Sequence, residues 1–509
     1  MPGYATVAST ARQGWKRGKK QPLLTLWKAR IIIKVTVQTA GNMTWILTSS
    51  SLVSQNPCHI THRMDIPAFV RLCRTRRYPS EELHIKAVAE ELLMSSAQGS
   101  NPIRVKKQNE SLIKETIYKY GPISRSQIAQ ILSLTPPTIT INVNGMIRQG
   151  FVREIGQEDK GEEPALSEST DSRRPLGRRP VQIDFVPEAC YVVGAEINKY
   201  QIAVCMLDLR GKMIASSRYT PENDDYDTII RALLNQINQV IADSGISQEK
   251  ILGAGVGITG FVDPKTGVLK RSAYRDWENG RKVAEDIRQG LDMPVIIENN
   301  ARMRAMGEDM FANQFHADTF AYYLVSYGVA CPMFIKNSIL TGGASGAGEI
   351  GHVVVDIHGP KCEVCGDYGC LEEMASERAI VKQIKTEIKQ GTPTILREDK
   401  TDPKEITMKD ILIAEDQGDE LACRVVEKAI VYLGIELANI INFISPPLVI
   451  IDGYIMKLKR NRRLFLEETQ KHLFGMDHQN IEFRFVEFDH FTGAKGAGAL
   501  AIKTYFIEA

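Results

Sequence analysis

The chain has 509 residues, 43% of them hydrophobic and 24% charged, with a net charge of only +2. These values fit an ordinary water-soluble protein of two or three domains and exclude a low-complexity, collagen-like or strongly polyionic chain. No apolar run reaches the length of a membrane span, Leu448 to Ile451 being a buried strand at most. Nine cysteines without a secretory leader predict a reducing, cytoplasmic setting and not a disulfide framework.

Residues 1–93 read as lying outside the fold, unstructured or wrongly included. The first acidic residue is Asp65, and Lys16, Arg17, Lys19, Lys20, Lys28, Arg30 and Lys34 crowd a segment without helical or strand periodicity. Such a leader fits a transit peptide or a nucleic-acid arm. The preferred reading is a start codon placed too early, with the natural chain beginning at Met94, since Glu90 and Glu91 could be encoded by a purine-rich ribosome-binding sequence.

Residues 94–186 read as a DNA-binding module. Ile103, Leu112, Ile113, Ile117 and Tyr120 recur at helical spacing until Gly121 and Pro122 break the helix. Ser124 and Gln127 form a capping box for a second helix carrying Ile128, Ala129 and Leu132. Ser133 and Leu134 make the turn, Thr135 is a good N-cap, and Pro136 suits the first helical position. The third helix runs through Thr138, Ile139, Val143, Met146 and Ile147 to Gly150. This pattern is a helix-turn-helix whose third helix reads the major groove, although any three-helix bundle mimics it. The exposed face is expected to offer Pro137, Thr138, Thr140, Asn142 and Asn144, with Thr135 and Arg125 beside them. From Arg104 to Glu154 eight basic residues face three acidic ones, and the resulting net +5 suits phosphate contact.

Phe151 to Ile155 and Val181 to Phe185 are expected to pair as a wing, joined by an acidic, polar stretch from Gln157 to Ser172. Arg178 and Arg179 lead the return strand, which suits a narrow minor groove. A basic interdomain linker is the other reading.

From Tyr191 the pattern predicts strands near Val192–Ile197, Ile202–Leu207 and Lys212–Tyr219, a helix from Asp227 to Ser244 and a strand at Ile251–Ile258. A second half repeats the scheme from Thr319, with a long helix near Leu421–Ile444, a strand at Leu448–Ile451 and a closing helix from Ala494. Between them lies G-E-I-G-H-V-V-V-D-I-H-G-P-K-C-E-V-C-G-D-Y-G-C-L-E, from Gly348 to Glu372. Cys362, Cys365 and Cys370, preceded by His352 on an expected strand, supply the soft ligands that Zn²⁺ selects for a closed tetrahedral site. Gly366 and Gly369 let the loop turn so that the sulfurs face inward. A redox pair at C-x-x-C and a cluster of buried free thiols are the alternatives.

E-I-G-H followed by this cysteine cluster resembles the signature of the ROK family of repressors, uncharacterised reading frames and sugar kinases, with Glu363 and Val364 standing where the family usually has one residue. The resemblance covers roughly residues 101–509. It implies an α/β fold: an N-terminal winged helix-turn-helix, then a duplicated ribonuclease-H-like, actin/sugar-kinase domain over 187–509, two-lobed, with a zinc loop at 349–372. It implies that His352 binds zinc through one ring nitrogen and offers the other to a sugar hydroxyl, and that Glu349 and Glu372 accept from sugar hydroxyls. It also implies an oligomer, foremost a dimer on a pseudo-palindromic operator, with a sugar or sugar phosphate as effector.

Three departures bear on catalysis. Family kinases begin with D-x-G-G-T, where this chain has Glu196, Ile197, Asn198, Lys199 and Tyr200. The second phosphate loop has become Tyr327, Gly328, Val329, Ala330, Cys331 and Pro332, with one glycine left and Pro332 lacking a donor. The catalytic base ends an E-N-D motif that here reads Glu298, Asn299 and Asn300, and a neutral amide cannot accept that proton. Asn299 and Asn300 remain in the sugar-contacting set, since an amide both donates and accepts. Gly260, Asp263, Tyr274 and Trp277 are weaker cleft candidates, Tyr274 standing where an asparagine is common and Trp277 equally a core residue. The expectation is a sugar-responsive transcriptional regulator, most simply a repressor of carbohydrate-metabolism genes, that is no enzyme. A sugar kinase with divergent loops and a sensor that docks on another protein are the alternatives.

Overall fold

A computed structural model of the chain describes residues 33–35, 44–48, 51–55, 102–155, 180–312, 317–343, 346–399, 405–475 and 480–509. The chain divides into two units, residues 1–101 and 102–509. In the first, β1 (Ile33–Val35), β2 (Thr44–Thr48) and β3 (Ser51–Gln55) pair as an antiparallel meander. Strand periodicity is weak there, yet β2 is rich in the β-branched and aromatic residues that favour extended backbone. Met94 lies outside the described residues.

The second unit opens with α1 (Pro102–Tyr120), which buries Ile113 and Ile117 and ends where Gly121 donates its N–H to Ile117 O at 2.9 Å. The short strand β4 (Ile123–Ser124) leads into α2 (Arg125–Leu132). The capping box forms as expected: Gln127 N–H donates to Ser124 Oγ at 3.3 Å and Ser124 N–H to Gln127 Oε1 at 3.0 Å. Ser133 turns the chain in the left-handed region, and α3 (Pro136–Arg148) follows with Pro136 at its first position. Strands β5 (Val152–Ile155) and β6 (Gln182–Phe185) pair antiparallel, and β4 joins β6 to complete a small sheet.

This head shares a core with the rest of the unit. Ile113, Ile117 and Phe185 pack in one cluster with Val192, Leu207 and Phe506. Lys114 Nζ donates to Phe506 O at 2.9 Å, and Arg210 donates to Tyr118 O at 2.9 Å while pairing with Asp184. A head held by continuous apolar contact moves with what it is packed on.

The first lobe is built on β7 (Tyr191–Ile197), β8 (Ile202–Asp208), β9 (Met213–Tyr219), β10 (Ile251–Ile258) and, after the β11 (Gly260–Asp263) and β12 (Val268–Ser272) hairpin, β13 (Val295–Asn299). The sheet order is β13-β10-β7-β8-β9. Helix α4 (Tyr226–Ser244) lays Ile229, Leu233, Ile237 and Val240 on it, at the spacing of one helical face, with α5 (Val283–Gln289) alongside. Helix α6 (Asn300–Gly307) starts directly from β13.

The second lobe repeats the plan with β14 (Phe320–Val325), β15 (Val329–Ala330), β16 (Met333–Ile335) and β17 (Ser338–Ile339), then α7 (Leu371–Ala375), α8 (Glu377–Lys389), α9 (Met408–Asp416) and α10 (Glu420–Ile444). It closes through β18 (Leu448–Gly453), α11 (Lys459–Lys471), β19 (Glu482–Phe485) and α12 (Thr492–Ile502). Parallel β14, β18 and β19 carry the antiparallel edge β16-β17. Helix α12 lies close on β7 and β10, because a Cβ at Gly194 or Gly255 would stand 2.0 Å from Ala494 O or Ala497 O. Among the described residues no helix is long and apolar enough to cross a membrane.

Candidate metal centre and ligand cleft

The Gly348–Glu372 stretch folds as a tight loop between β17 and α7. His352 closes a 3-10 turn, Ile350–His352, and not the expected strand. The reason is local: Gly348 takes φ +90, and its carbonyl accepts from Ile350 N–H at 2.9 Å, which curls the backbone. Gly366 (φ +86) and Gly369 (φ +68) turn the loop as expected, and a Cβ at Gly369 would collide with Asp356 O at 1.5 Å.

One ligand atom each from His352, Cys362, Cys365 and Cys370 lies within 4.8 Å of all the others. Cys362 Sγ is 3.7 Å from His352 Nδ1, and Cys365 Sγ is 3.5 Å from Cys370 Sγ. A tetrahedron with metal–sulfur bonds of about 2.3 Å has edges of about 3.8 Å, so the donor set fits a tetrahedral cation. Cys365 N–H reaches Cys362 Sγ at 3.5 Å, a backbone donor that suits a thiolate. Burial and then the neighbouring thiols push the Cys370 thiol well above its ordinary range, and burial pushes Cys362 up. A bound cation reverses that preference. A second grouping of Cys362, Glu372 and Glu373 fits less well, because Glu373 is paired with Arg378.

The cleft lies beside this loop. Asn198, Tyr200, Gly260, Tyr274, Asn299, Asn300, Tyr327, Glu349, His352 and Glu372 are among the side chains around a cavity of ≈ 70 Å³. All five residues expected to contact a sugar thus reach one place. Their commitments differ. Asn299 caps α6, its Oδ1 accepting from Ala301 N–H at 2.9 Å and Arg302 N–H at 3.2 Å, while its amide donates to Gly260 O at 3.0 Å. Asn300 reaches Glu196 Oε1 at 3.5 Å. Burial pushes Glu349 up to about 7, against the opposing pull of Arg302, so near neutrality it offers both a donor and an acceptor form. Glu372 is buried, with Oε1 3.8 Å from His352 Nδ1 and Oε2 accepting from the Tyr274 hydroxyl at 2.5 Å. Of the weaker candidates, Gly260 and Tyr274 line the cavity. Trp277 is buried, edge-on to Tyr226 at 5.2 Å with its indole N–H on Asp224 O, and Asp263 pairs with Lys270.

Aromatic side chains crowd the wall of the cleft at Tyr200, Tyr274 and Tyr327. Tyr200 meets Tyr327 at 5.6 Å between ring centroids, Tyr327 meets Tyr274 at 4.9 Å, and Arg378 lies over Tyr274 and Tyr327 at 5.7 and 5.8 Å. Beneath them Glu196, fully buried in β7, receives Arg304 Nε and Nη2 at 2.9 Å each. Arg304 Nη1 donates to Asp452 at 2.8 Å, and Asp452 also accepts from the Tyr322 hydroxyl at 2.7 Å. One guanidinium on α6 therefore ties β7, the central strand of one lobe, to β18 of the other. Sequence reasoning missed Arg304; the one signal was an arginine four residues after Asn300, on the face that α6 turns inward.

On the head, α3 buries Ile139, Val143 and Met146 and exposes Pro137, Thr140, Asn144 and Ile141, the last at 65%. Asn142 is corrected: it is buried at 8% exposure, its amide donating back to Thr138 O at 2.8 Å. It sits beside Val143, on the inner side of the helix. Thr135 takes the N-cap position but its hydroxyl meets Thr138 Oγ1 at 2.9 Å instead of a backbone N–H. Arg125 pairs with Glu154 at 2.8 Å and bonds Asn144. Arg178 and Arg179 lie outside the described residues.

Two mirrored α/β lobes with a Cys/His loop beside the cleft define a sugar-kinase-like fold. The ROK family model matches residues 192–504, so the chain belongs to the ROK family. It is similar to the xylose repressor of Bacillus subtilis (28% identical, 69% of this chain and 84% of that one). It is as similar to the Escherichia coli DNA-binding transcriptional dual regulator NagC (28%, 70% and 83%). In structure it resembles a ROK family transcriptional regulator, a homologue of E. coli MLC protein (TM-score 0.65, 23% identity, 79% of this chain and 97% of that). It also resembles a ROK glucokinase of Streptomyces griseus solved with glucose and AMPPNP (TM-score 0.53, 24%, 61% and 98%).

Proposed function

We propose that this chain is a sugar-responsive transcriptional repressor: a winged helix-turn-helix over 94–186 carried on a zinc-containing, catalytically disarmed sugar-sensor domain over 187–509. The relatives named as repressors support the regulator, and the observation that carries it is the contrast within one cleft. Glu349, His352, Glu372 and Asn300 surround a cavity, while tyrosines and the Arg304 tie fill the phosphate side and an amide stands where a base is needed. Such a cleft binds a polyol and performs no phosphoryl transfer.

Zinc on His352 Nδ1, Cys362, Cys365 and Cys370 would fix the imidazole so that its other nitrogen meets a sugar hydroxyl. Sugar closing the cleft moves α12, whose Ala494, Ala501 and Ile502 share the head's core, and so favours one spacing of two heads in a dimer. On the reading helix Thr140, Asn144 and Ile141 face the groove, Ile141 being suited to a thymine methyl.

The test is fluorescence anisotropy of the chain on its own upstream DNA, at fixed salt, across a panel of sugars. Sequence-specific binding that one sugar alters is expected, with Ile141→Ala weakening it about tenfold at unchanged stability. Absence of specific binding with every sugar overturns the reading.

A further inference from the structure

Tyr274 is the least explained side chain in the cleft. It takes φ +66, a left-handed conformation that costs a non-glycine residue about 1 kcal/mol and that asparagine tolerates best. Its ring is held by Tyr327, edge-on at 4.9 Å, and by Arg378 above it. Its carbonyl accepts from Lys199 Nζ at 3.2 Å. Its hydroxyl fits only because position 328 is glycine, where a Cβ would stand 2.0 Å away. A tyrosine fixed on four sides in a strained backbone is placed there for what its phenol does.

The phenol occupies a hydroxyl seat. It donates to Glu372 Oε2 at 2.5 Å, so that oxygen is engaged before any ligand arrives. Glu349, Asn300 and the His352 edge turned from the cysteines remain for a ligand, beside other polar groups of the lining such as Thr259 and Ser326. The ≈ 70 Å³ left has room for roughly five waters at 10–15 Å³ each, which is monosaccharide scale.

Resting on the sugar-sensor reading above, we infer that Tyr274 is the specificity-determining residue of the cleft. Its ring sets the size limit and its hydroxyl replaces one ligand hydroxyl on Glu372. The effector is therefore a small unsubstituted monosaccharide, and N-acylated hexosamines are excluded.

The experiment is calorimetric titration of the full chain, Tyr274→Asn and Tyr274→Phe with D-xylose, D-glucose and N-acetylglucosamine, with zinc content and melting temperature read for each. The wild type is expected to bind xylose at least about tenfold more tightly than N-acetylglucosamine. Tyr274→Asn, which suits the left-handed backbone, should gain about tenfold for N-acetylglucosamine, whereas Tyr274→Phe keeps the ring and should keep the exclusion. A wild type that prefers N-acetylglucosamine overturns the inference and leaves the sensor reading standing, as does a Tyr274→Asn ranking identical to wild type. No sugar bound by any folded, zinc-loaded form overturns both.

Discussion

The cysteine loop and the cleft floor both gather anionic ligands, and they neutralise them in opposite ways. At the loop, three thiols and an imidazole converge. At the floor, Glu196 and Asp452 converge on Arg304, which arrives with the chain. An ion from outside would complete the first, whereas the second is complete at folding. At the loop, binding of an external species would be coupled to order. The floor has exchanged such coupling for permanence.

Removing the metal is the strongest way to break this comparison. Chelation, or Cys370→Ala, should abolish bound zinc, make residues 353–370 protease-sensitive and lower Tm by roughly 10 °C or more. An unchanged melt and sugar response would refute the role given to the loop. Arg304→Met sharpens it from the other side. Two buried carboxylates lose their cation, and urea unfolding should show a loss of about 3–5 kcal/mol. Because the two sites share no residue, chelator and mutation should act additively; strong coupling would mean that they are one cooperative unit.

The two regions were not equally legible in the sequence. The metal ligands fall within one short loop, where spacing and glycines state the chemistry, and only the backbone at His352 differed from the expected strand. Strand and helix periods placed β10, α4 and α10 closely, since long apolar patterns are dominated by a single buried face. The floor was opaque because its partners lie 108 and 148 residues apart, and nothing at Arg304 alone tells an inward arginine from a solvated one. Asn142 was misjudged for the same kind of reason. A residue flanking Val143 sits at the edge of the buried stripe, and a few degrees of helix rotation decide its side.

Glu377 tests a third way of treating buried charge, with neither metal nor close guanidinium. It is 4% exposed, and among the described residues its carboxylate accepts from Tyr454 N–H at 3.1 Å and the Tyr200 hydroxyl at 3.4 Å. Burial pushes it from 4.5 up to about 7. A raised carboxylate is neutral in the fold while its unfolded counterpart ionises, so its contribution is fully present below about pH 4.5. It falls as pH rises to about 7 and is flat above. Glu377→Gln removes the titration. The variant should match wild type near pH 4 and be more stable at pH 8 by about 2–3 kcal/mol in urea melts. If the difference does not vary with pH, Glu377 stays ionised when buried, and Arg304, whose charge favours that form, is the cation to test next. The floor would then extend across the cleft from β7 to α8 as one charged network.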